Sequence, residues 1–295
     1  MSHSIDKVFE AHRPRLFGIA YRMLGSAAEA EDIVQEAFLR YQATAPDAIR
    51  SPTAFLNTVV TRLCLNQLAS ARARREAYVG LRLPEPVLSE KGAALDRDTD
   101  PVARQAELHE SISLAFLMLL EQLTPVERAV FLLREVFDYS YAEIAAIVQK
   151  DELACRQIFS RARKQIAAQR PRFSATAEQH RQILGRFMQA VSTGQLNELI
   201  QLLADDVRLW ADGGGRVRGA ATRPLHGRRA VAQFVLASTR YLPANYRTEI
   251  AEVNGQPAAI VDAGQQIVLL IALDVDHDQV RGIRVIGNPD KLRRL

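Results

Sequence analysis

The chain has 295 residues, which at roughly 150 residues per domain is enough for two or three domains with a sizeable core. Hydrophobic residues make up 48% and charged residues 24%, which is ordinary globular composition and excludes collagen-like, low-complexity and wholly disordered chains. Its two cysteines, Cys64 and Cys155, lie far apart and predict neither a disulfide framework nor a cysteine-based metal site. No apolar stretch approaches the roughly 20 residues of a membrane span, and no signal pattern begins the chain, so we expect a cytoplasmic protein without a membrane partner.

Charge is segregated along the chain, although the net charge is only +4. Residues 1–170 hold 22 basic and 22 acidic side chains, so this part is neutral as a whole. It nevertheless contains four arginines and no acid between positions 62 and 75, and six basic residues and no acid between positions 156 and 172. Basic clusters inside a neutral region predict local contact with phosphates.

Helix-start motifs divide residues 1–170 into helices. Five sites combine a capping side chain with a glutamate or a proline at the required spacing: Ser26, Ser51, Asp100, Thr124 and Ser140. A first helix around residues 8–24 and a last helix after Asp151 make the region almost entirely α-helical. Prolines at 84 and 86 and an aspartate-rich stretch up to residue 100 interrupt it and predict a linker.

The remaining residues have a different pattern. Helical spacing continues over 176–203 and returns at about 228–238, with a turn expected at the glycine run 213–215. Strands are predicted at 207–210, 247–253, 258–263, 266–273 and 279–286. Helices followed by mostly antiparallel strands predict an α+β domain. The predicted organisation is therefore a helical domain at 1–77, a linker at 78–100, a helix-turn-helix domain at 101–170 and an α+β extension at 171–295.

The helix predicted from Pro52 to about residue 75 has one apolar face and carries amides, hydroxyls and arginines elsewhere. Such a helix can bond base edges while its basic end contacts phosphates, which also suits single-stranded DNA. The candidate contacts are Asn57, Thr61, Arg62, Asn66, Arg72, Arg74 and Arg75. The alternative is a solvated helix whose basic end complements the helix dipole.

Residues 124–169 have the pattern of a helix-turn-helix. The Thr124 and Ser140 boxes begin its first two helices, residues 149–151 form the turn, and Asp151 caps a third helix that would lie in the major groove. The candidates on that helix are Arg156, Gln157, Ser160, Arg161, Arg163 and Lys164. The two earliest suit base edges and the later cluster suits phosphates, whereas a three-helix bundle with a charged surface is the alternative.

An acidic helix covers residues 29–36, where Glu29, Asp32 and Glu36 share one stripe opposite an apolar face. Carboxylates close to a DNA-binding surface would repel phosphates, so this stripe predicts a protein partner. The alternative is a face that only meets solvent.

The order and spacing of these segments resemble a known family. LFGIAYRMLG at 16–25 and AEDIVQEAFLR at 30–40 resemble the second conserved region of extracytoplasmic-function sigma factors. LTPVER at 123–128, YAEIA at 141–145 and SRARK at 160–164 resemble their fourth region. The resemblance implies that the acidic helix, with Glu29, Asp32, Gln35 and Glu36, docks on core RNA polymerase. It also implies that the 52–75 helix captures the melted minus-ten element and the helix after Asp151 reads the minus-thirty-five element.

Three further motifs resemble those of the SigJ-type group, whose members carry a fused SnoaL-like domain. They are LPEP at 83–86, DGGGR at 212–216 and NPDKL at 288–292. The resemblance implies that the extension modulates the sigma domains. The residues concerned are Leu83, Pro84, Glu85, Pro86, Asp212, Gly213, Gly214, Gly215, Arg216, Asn288, Pro289, Asp290, Lys291 and Leu292.

Two other functions remain open at this point. Relatives of SnoaL-like domains include enzymes with an acid/base pair, for which Asp212 and His226 are the candidates, although both also fit turn chemistry. A stand-alone helix-turn-helix regulator with a ligand-sensing extension is the second. We expect a sigma factor that is not an enzyme, holds no metal or cofactor, and has a small molecule as a candidate ligand of its extension.

Overall fold

The computed structural model describes residues 2–70, 80–89, 112–169 and 175–295. The chain separates into two compact units, one of residues 1–76 and 90–170 and the other of residues 77–89 and 171–295. In the described ranges the first unit is helical and the second is α+β, which confirms the predicted fold class. No helix in these ranges is long and apolar enough to cross a membrane. The predicted cap Asp100 and the candidates Arg72, Arg74 and Arg75 lie outside the described residues.

Five of the described helices of the first unit begin where the capping motifs predict, whereas the cap Ser113 of a sixth was not predicted. Thr124 and Ser140 each form the full reciprocal box with the glutamate three residues later. The hydroxyls of Ser26 and Ser51 and the carboxylate of Asp151 accept the N–H three residues on. The helices are α1 (Ser2–Leu24), α2 (Ala27–Ala43), α3 (Pro52–Ser70), α4 (Leu114–Leu120), α5 (Pro125–Glu135), α6 (Tyr141–Val148) and α7 (Glu152–Gln169).

The turn between α6 and α7 is made without glycine. Gln149 adopts the left-handed conformation with φ of 56° and ψ of 50°, and ends α6. The N–H of the next residue, Lys150, donates to the carbonyl of Ala145 at 3.1 Å, which satisfies a carbonyl that the helix end leaves open. Buried Ile144, Cys155 and Ile158 then pack the two helices together.

The second unit is a six-stranded sheet with helices against one face. Its helices are α8 (Ala177–Ser192), α9 (Leu196–Leu202), α10 (Arg228–Ser238) and α11 (Pro289–Leu292). Its strands are β1 (Leu203–Asp212), β2 (Leu225–His226), β3 (Arg247–Val253), β4 (Gln256–Ala263), β5 (Gln266–Asp276) and β6 (Gln279–Ile286). The spatial order is β2-β1-β6-β5-β4-β3, and every pair is antiparallel except β1 with β6.

Several predicted boundaries of this unit differ from the structure, including the start of β4 at Gln256 and the end of β5 at Asp276. The helical spacing predicted over 176–203 belongs to two helices, and Gly194, with a positive φ of 69°, follows the end of the first of them. β1 begins at Leu203, four residues before the predicted start. The two-residue strand β2 was missed, because so short a segment has no periodicity to detect.

The core of the second unit lies between the sheet and α8 to α10. Phe187 of α8, Leu209 of β1 and Val231 of α10 are fully buried there. A reciprocal capping box between Thr176 and Gln179 starts α8, and both residues of this motif are present in the sequence. The parallel β1 and β6 bring their carboxyl ends side by side, with Asp212 opposite Ile286. The motifs at 212–216 and 288–292 therefore lie side by side at the carboxyl ends of these two strands.

Candidate functional site

Asp212 brings three predicted motifs together within the second unit. Its Oδ2 accepts the backbone N–H of Leu83 at 2.9 Å and lies 2.6 Å from Lys291 Nζ. Its Oδ1 accepts the N–H of Gly214 at 3.0 Å, and Lys291 Nζ also donates to the carbonyl of Leu83. The carboxylate is buried, so these bonds replace water. We call the group formed by Leu83, Asp212, Asn288 and Lys291 the linker clasp.

Close packing explains the glycines of the second motif. A Cβ on Gly214, whose φ is 60°, would lie 2.6 Å from the side-chain Cγ of Asn288. The N–H groups of Gly287 and Asn288 donate to the carbonyl of Asp212 at 2.8 and 3.0 Å. Asn288 Oδ1 accepts the N–H of Asp290 at 3.1 Å and so caps α11. Nearby, Arg216 and Asp290 form an ion pair at 3.2 Å that is exposed to solvent.

The linker segment continues along the hairpin between β3 and β4. Val87 and Asn254 exchange two hydrogen bonds, Val87 N–H to Asn254 Oδ1 at 3.0 Å and Asn254 N–H to the Val87 carbonyl at 2.9 Å. The N–H of Gly255 donates to Ser89 Oγ at 2.9 Å, and Leu88 forms a β-bridge with Val253. Sequence reasoning missed this contact, although the dipeptide Asn-Gly at 254–255 is the strongest short signal of a tight hairpin.

Four of the predicted minus-ten candidates lie in α3, and two of these four are buried. Asn57 is 1% exposed and its amide donates to the hydroxyl of Tyr139, while Thr61 is fully buried. Arg62 Nε donates to the carbonyl of Ile147 at 3.1 Å, and its Nη2 reaches the preceding carbonyl at 2.9 Å. These carbonyls belong to the last turn of α6, which carries the negative end of the helix dipole. Asn66 is exposed.

Three arginines connect α1 with α5 and the segment that follows α5. These contacts were not predicted from the sequence. Arg128 is buried, and its Nη1 donates to the carbonyl of Met23. Arg15 Nη2 donates to the carbonyl of Phe137 at 3.2 Å, and Arg22 places its guanidinium 5.4 Å from the centre of the same ring. An arginine within the apolar run at 16–25 was the available signal, because a buried charge requires a partner.

The predicted minus-thirty-five candidates all lie on the exposed side of α7. The opposite side buries Cys155, Ile158, Ala162 and Ile166 against the other helices. Arg156 stacks its guanidinium 4.6 Å from the ring centre of Tyr141 and lies 3.3 Å from Glu152. The six exposed candidates are Arg156, Gln157, Ser160, Arg161, Arg163 and Lys164.

The predicted acidic stripe lies on α2, which buries Ile33, Val34 and Ala37. Asp32 and Gln35 are exposed, whereas Glu29 and Glu36 are partly covered. Glu36 accepts a hydrogen bond from Arg40 at 2.8 Å. Leu39, which is 53% exposed, lies one turn beyond these acids and was not singled out from the sequence.

A cavity of about 760 Å³ opens in the second unit, between the sheet and α8 and α10. Asp212 lines it, but its carboxylate is already bonded in the linker clasp. His226 is exposed on β2 and is not part of the lining. The proposed acid/base pair is therefore not brought together. Within the described ranges, no cluster of three or more His, Cys, Asp or Glu side chains could hold a metal ion.

The first unit combines an acidic helix with a helix-turn-helix whose basic helix is exposed, and an α+β domain follows it. These features define a multidomain DNA-binding transcription protein. The sequence matches the Sigma-70 region 2 family over residues 8–74 and the Sigma-70 region 4 family over residues 113–166.

Two relatives and one solved structure extend the match over the whole chain. The ECF RNA polymerase sigma factor SigJ of Mycobacterium tuberculosis is 39% identical over 96% of this chain and 91% of its own length. The probable ECF sigma factor SigI of the same organism is 31% identical over 99% of this chain and 96% of its own. The crystal structure of M. tuberculosis SigJ superposes with a TM-score of 0.73 and 34% identity, covering 97% of each chain. The chain belongs to the extracytoplasmic-function family of RNA polymerase sigma factors.

Proposed function

We propose that this sigma factor binds core RNA polymerase in the cytoplasm, directs it to specific promoters, and does so without enzymatic activity of its own. The observation that carries the proposal is the match of both sigma regions in an arrangement that leaves all six α7 candidates in solvent. A helix with arginine and glutamine in its first turns and a basic cluster later fits base reading followed by phosphate contact.

The acidic helix is the proposed surface for core polymerase. Asp32 and Gln35 are exposed, Glu29 and Glu36 flank them, and Leu39 adds an apolar side chain to the same surface. Carboxylates around an exposed leucine fit a protein partner that offers basic and apolar groups, and they disfavour DNA.

The minus-ten role of α3 requires that the first unit open. Asn57 and Thr61 are buried, and Arg62 is bonded to carbonyls of α6, so these side chains cannot reach bases in this arrangement. α3 also buries Leu56, Val60 and Cys64, so opening would break apolar as well as polar contacts. The hydrogen bonds of Asn57 and Arg62 would then be exchanged for bonds to polymerase or DNA. The closed arrangement is thus the proposed resting state, and polymerase would select the open one.

The linker clasp supports a regulatory role for the extension. While Asp212 and Lys291 hold Leu83, and Asn254 holds Val87, the segment 83–89 is a fixed part of the second unit. Release of this segment would give up its bonds to the second unit, and we propose that this change alters the activity of the sigma domains. The same domain contains the cavity, which we assign to a small-molecule ligand.

Run-off transcription tests the proposal. Purified bacterial core polymerase is mixed with a library of genomic fragments, with and without the full chain, and the 5′ ends of the transcripts are mapped. Discrete start sites that appear only with the chain would support it. The absence of both transcripts and a complex with core, together with binding of duplex DNA by the chain alone, would favour a stand-alone helix-turn-helix regulator instead.

One pair of variants tests the acidic helix in the same assay. Asp32→Lys reverses an exposed charge within the proposed docking surface and should weaken the complex with core polymerase. Asp47→Lys makes the same charge change at an exposed site in the short 3₁₀ turn after α2, and should leave the complex intact.

A further inference from the structure

We infer that the cavity of the second unit binds an amphipathic carboxylic acid, with its apolar body inside and its carboxylate at the rim beside Arg218. The inference deepens the proposed ligand role of the cavity and rests on that role. It does not depend on whether the chain supports transcription.

The size and the walls of the cavity fit an apolar ligand. Its volume of about 760 Å³ lies within the range of roughly 300 to 1,000 Å³ that ligand pockets occupy. The walls come from α8, α10 and strands β1, β3, β4, β5 and β6. Aliphatic and aromatic side chains dominate them, among them Met188, Leu209, Phe234, Val261, Leu269 and Ile271.

Exposed apolar side chains are concentrated at this cavity. Five large hydrophobic residues are exposed in the described part of the chain, and three of them, Val217, Tyr241 and Ile250, line it. Single exposed apolar side chains are common on protein surfaces, whereas several at one opening form an apolar patch, which is typical of a binding site. The other two lie on α2 and α7, the helices proposed to contact polymerase and DNA.

The charge at the rim selects an anion. Asp212 is the single carboxylate among the described lining residues, and its oxygens are engaged in the linker clasp. Two arginines, Arg216 and Arg218, line the same side. Arg216 is paired with Asp290, whereas Arg218 makes no ion pair with any residue that the structure describes. A ligand carboxylate beside Arg218 would supply the missing counter-charge and a charge-assisted hydrogen bond.

Three probes with the same alkyl chain separate the apolar and the ionic contributions: decanoate, decanol and decyltrimethylammonium. Binding to the full-length protein is measured by titration calorimetry below the concentration at which each probe forms micelles. We expect decanoate to bind with one site per chain, roughly tenfold more tightly than decanol, because one charge-assisted hydrogen bond is worth about that factor. The cation should bind least.

Two matched pairs of variants locate the site. Arg218→Glu should lower the affinity for decanoate by roughly tenfold while leaving decanol unchanged. Arg223→Glu makes the same change at an exposed residue of the same loop that is not part of the lining, and should have little effect. Thr248→Trp fills the cavity from β3 and should weaken both probes. Glu249→Trp places the same ring on the opposite face of that strand and should not.

The outcomes separate the parts of the inference. Equal affinity for decanoate and decanol, or no loss in Arg218→Glu, would overturn the preference for a carboxylate and leave the ligand site standing. No binding of either probe, or binding that Thr248→Trp leaves unaffected, would overturn the ligand site itself. Run-off transcription with the same preparation reports sigma activity separately, so failure of one proposal is distinguishable from failure of the other.

Discussion

Lys291 Nζ lies 2.6 Å from Asp212 Oδ2, although 79 positions separate the two residues in the sequence. Both side chains are largely withdrawn from water, the aspartate completely. A buried ion pair of this kind is stable only when further hydrogen bonds satisfy its remaining atoms, and here the backbone of Leu83 supplies them on both sides. The pair therefore ties the linker segment to the edge of the sheet.

Removing one partner of this pair should destabilise the second unit. Lys291→Met leaves the Asp212 carboxylate buried without its cation and should lower the free energy of unfolding by about 3 kcal/mol, as measured by urea denaturation. It should also speed hydrogen exchange at the N–H of Leu83. Arg216→Met, which breaks an exposed ion pair in the same region, serves as the control and should cost less than about 1 kcal/mol. Equal losses in the two variants would contradict the structural role of the clasp.

The bond between Asn57 and Tyr139 should hold the first unit closed. Tyr139→Phe keeps the ring but leaves the buried Asn57 amide without this partner, so it should cost about 1 to 3 kcal/mol of stability. Weaker closure should also raise the yield of run-off transcript at limiting core polymerase. Tyr141→Phe is the matched control, since its hydroxyl makes no hydrogen bond with the residues that the structure describes. A stable Tyr139→Phe protein with unchanged transcription would argue against the closed resting state.

Two kinds of contact are expected along α7, and salt distinguishes them. Arg163→Ala and Lys164→Ala should weaken holoenzyme binding about equally on all promoter variants and reduce the slope of log affinity against log salt by about 1 each. Arg156→Ala should instead relax discrimination at one base pair, by about 1 to 3 kcal/mol. Filter binding on a set of single-base promoter variants at several salt concentrations measures both. Uniform losses across that set for Arg156→Ala would remove its base-reading role.

His180 should make the second unit less stable in mild acid. The ring is buried, and this burial lowers its pKa below the usual 6.5, against the smaller opposing effect of Asp274. The unfolded chain therefore takes up a proton before the folded chain does. The free energy of unfolding should be highest above about pH 6.5 and should fall as the pH drops through that value toward the folded pKa.

Urea denaturation at several pH values between about 5 and 7.5 measures this slope. His180→Leu should flatten the profile, because the variant has no ring to protonate. His226→Leu removes an exposed ring from the same domain and should leave the slope as it is in the natural chain. A profile that keeps its slope in His180→Leu would assign the acid sensitivity to other groups.

Local chemistry made much of the fold predictable. The boxes at Thr124 and Ser140 fix helix starts through side chains only three residues apart, so the sequence contains both partners. The bounds of β3 and β6 were predicted correctly as Arg247–Val253 and Gln279–Ile286, because β-branched residues recur in both segments and turn residues follow them. The six candidates on α7 were likewise assigned to a helix face that is exposed.

The contacts that bear on regulation were decided by tertiary structure. The sequence predicted that Asn57 lies outside the apolar face of α3, and this was wrong: Asn57 shares the buried face with Val60 and Cys64. Its burial against Tyr139 depends on how α3 packs with helices that are distant in the sequence. The three motifs at 83–86, 212–216 and 288–292 are visible in the sequence, but the sequence does not show which of their atoms are in contact. Their convergence requires β1 and β6 to run parallel, and neither strand contains the information about its neighbour. Local hydrogen bonds determine where elements begin and end, whereas burial of whole faces determines which distant residues become partners.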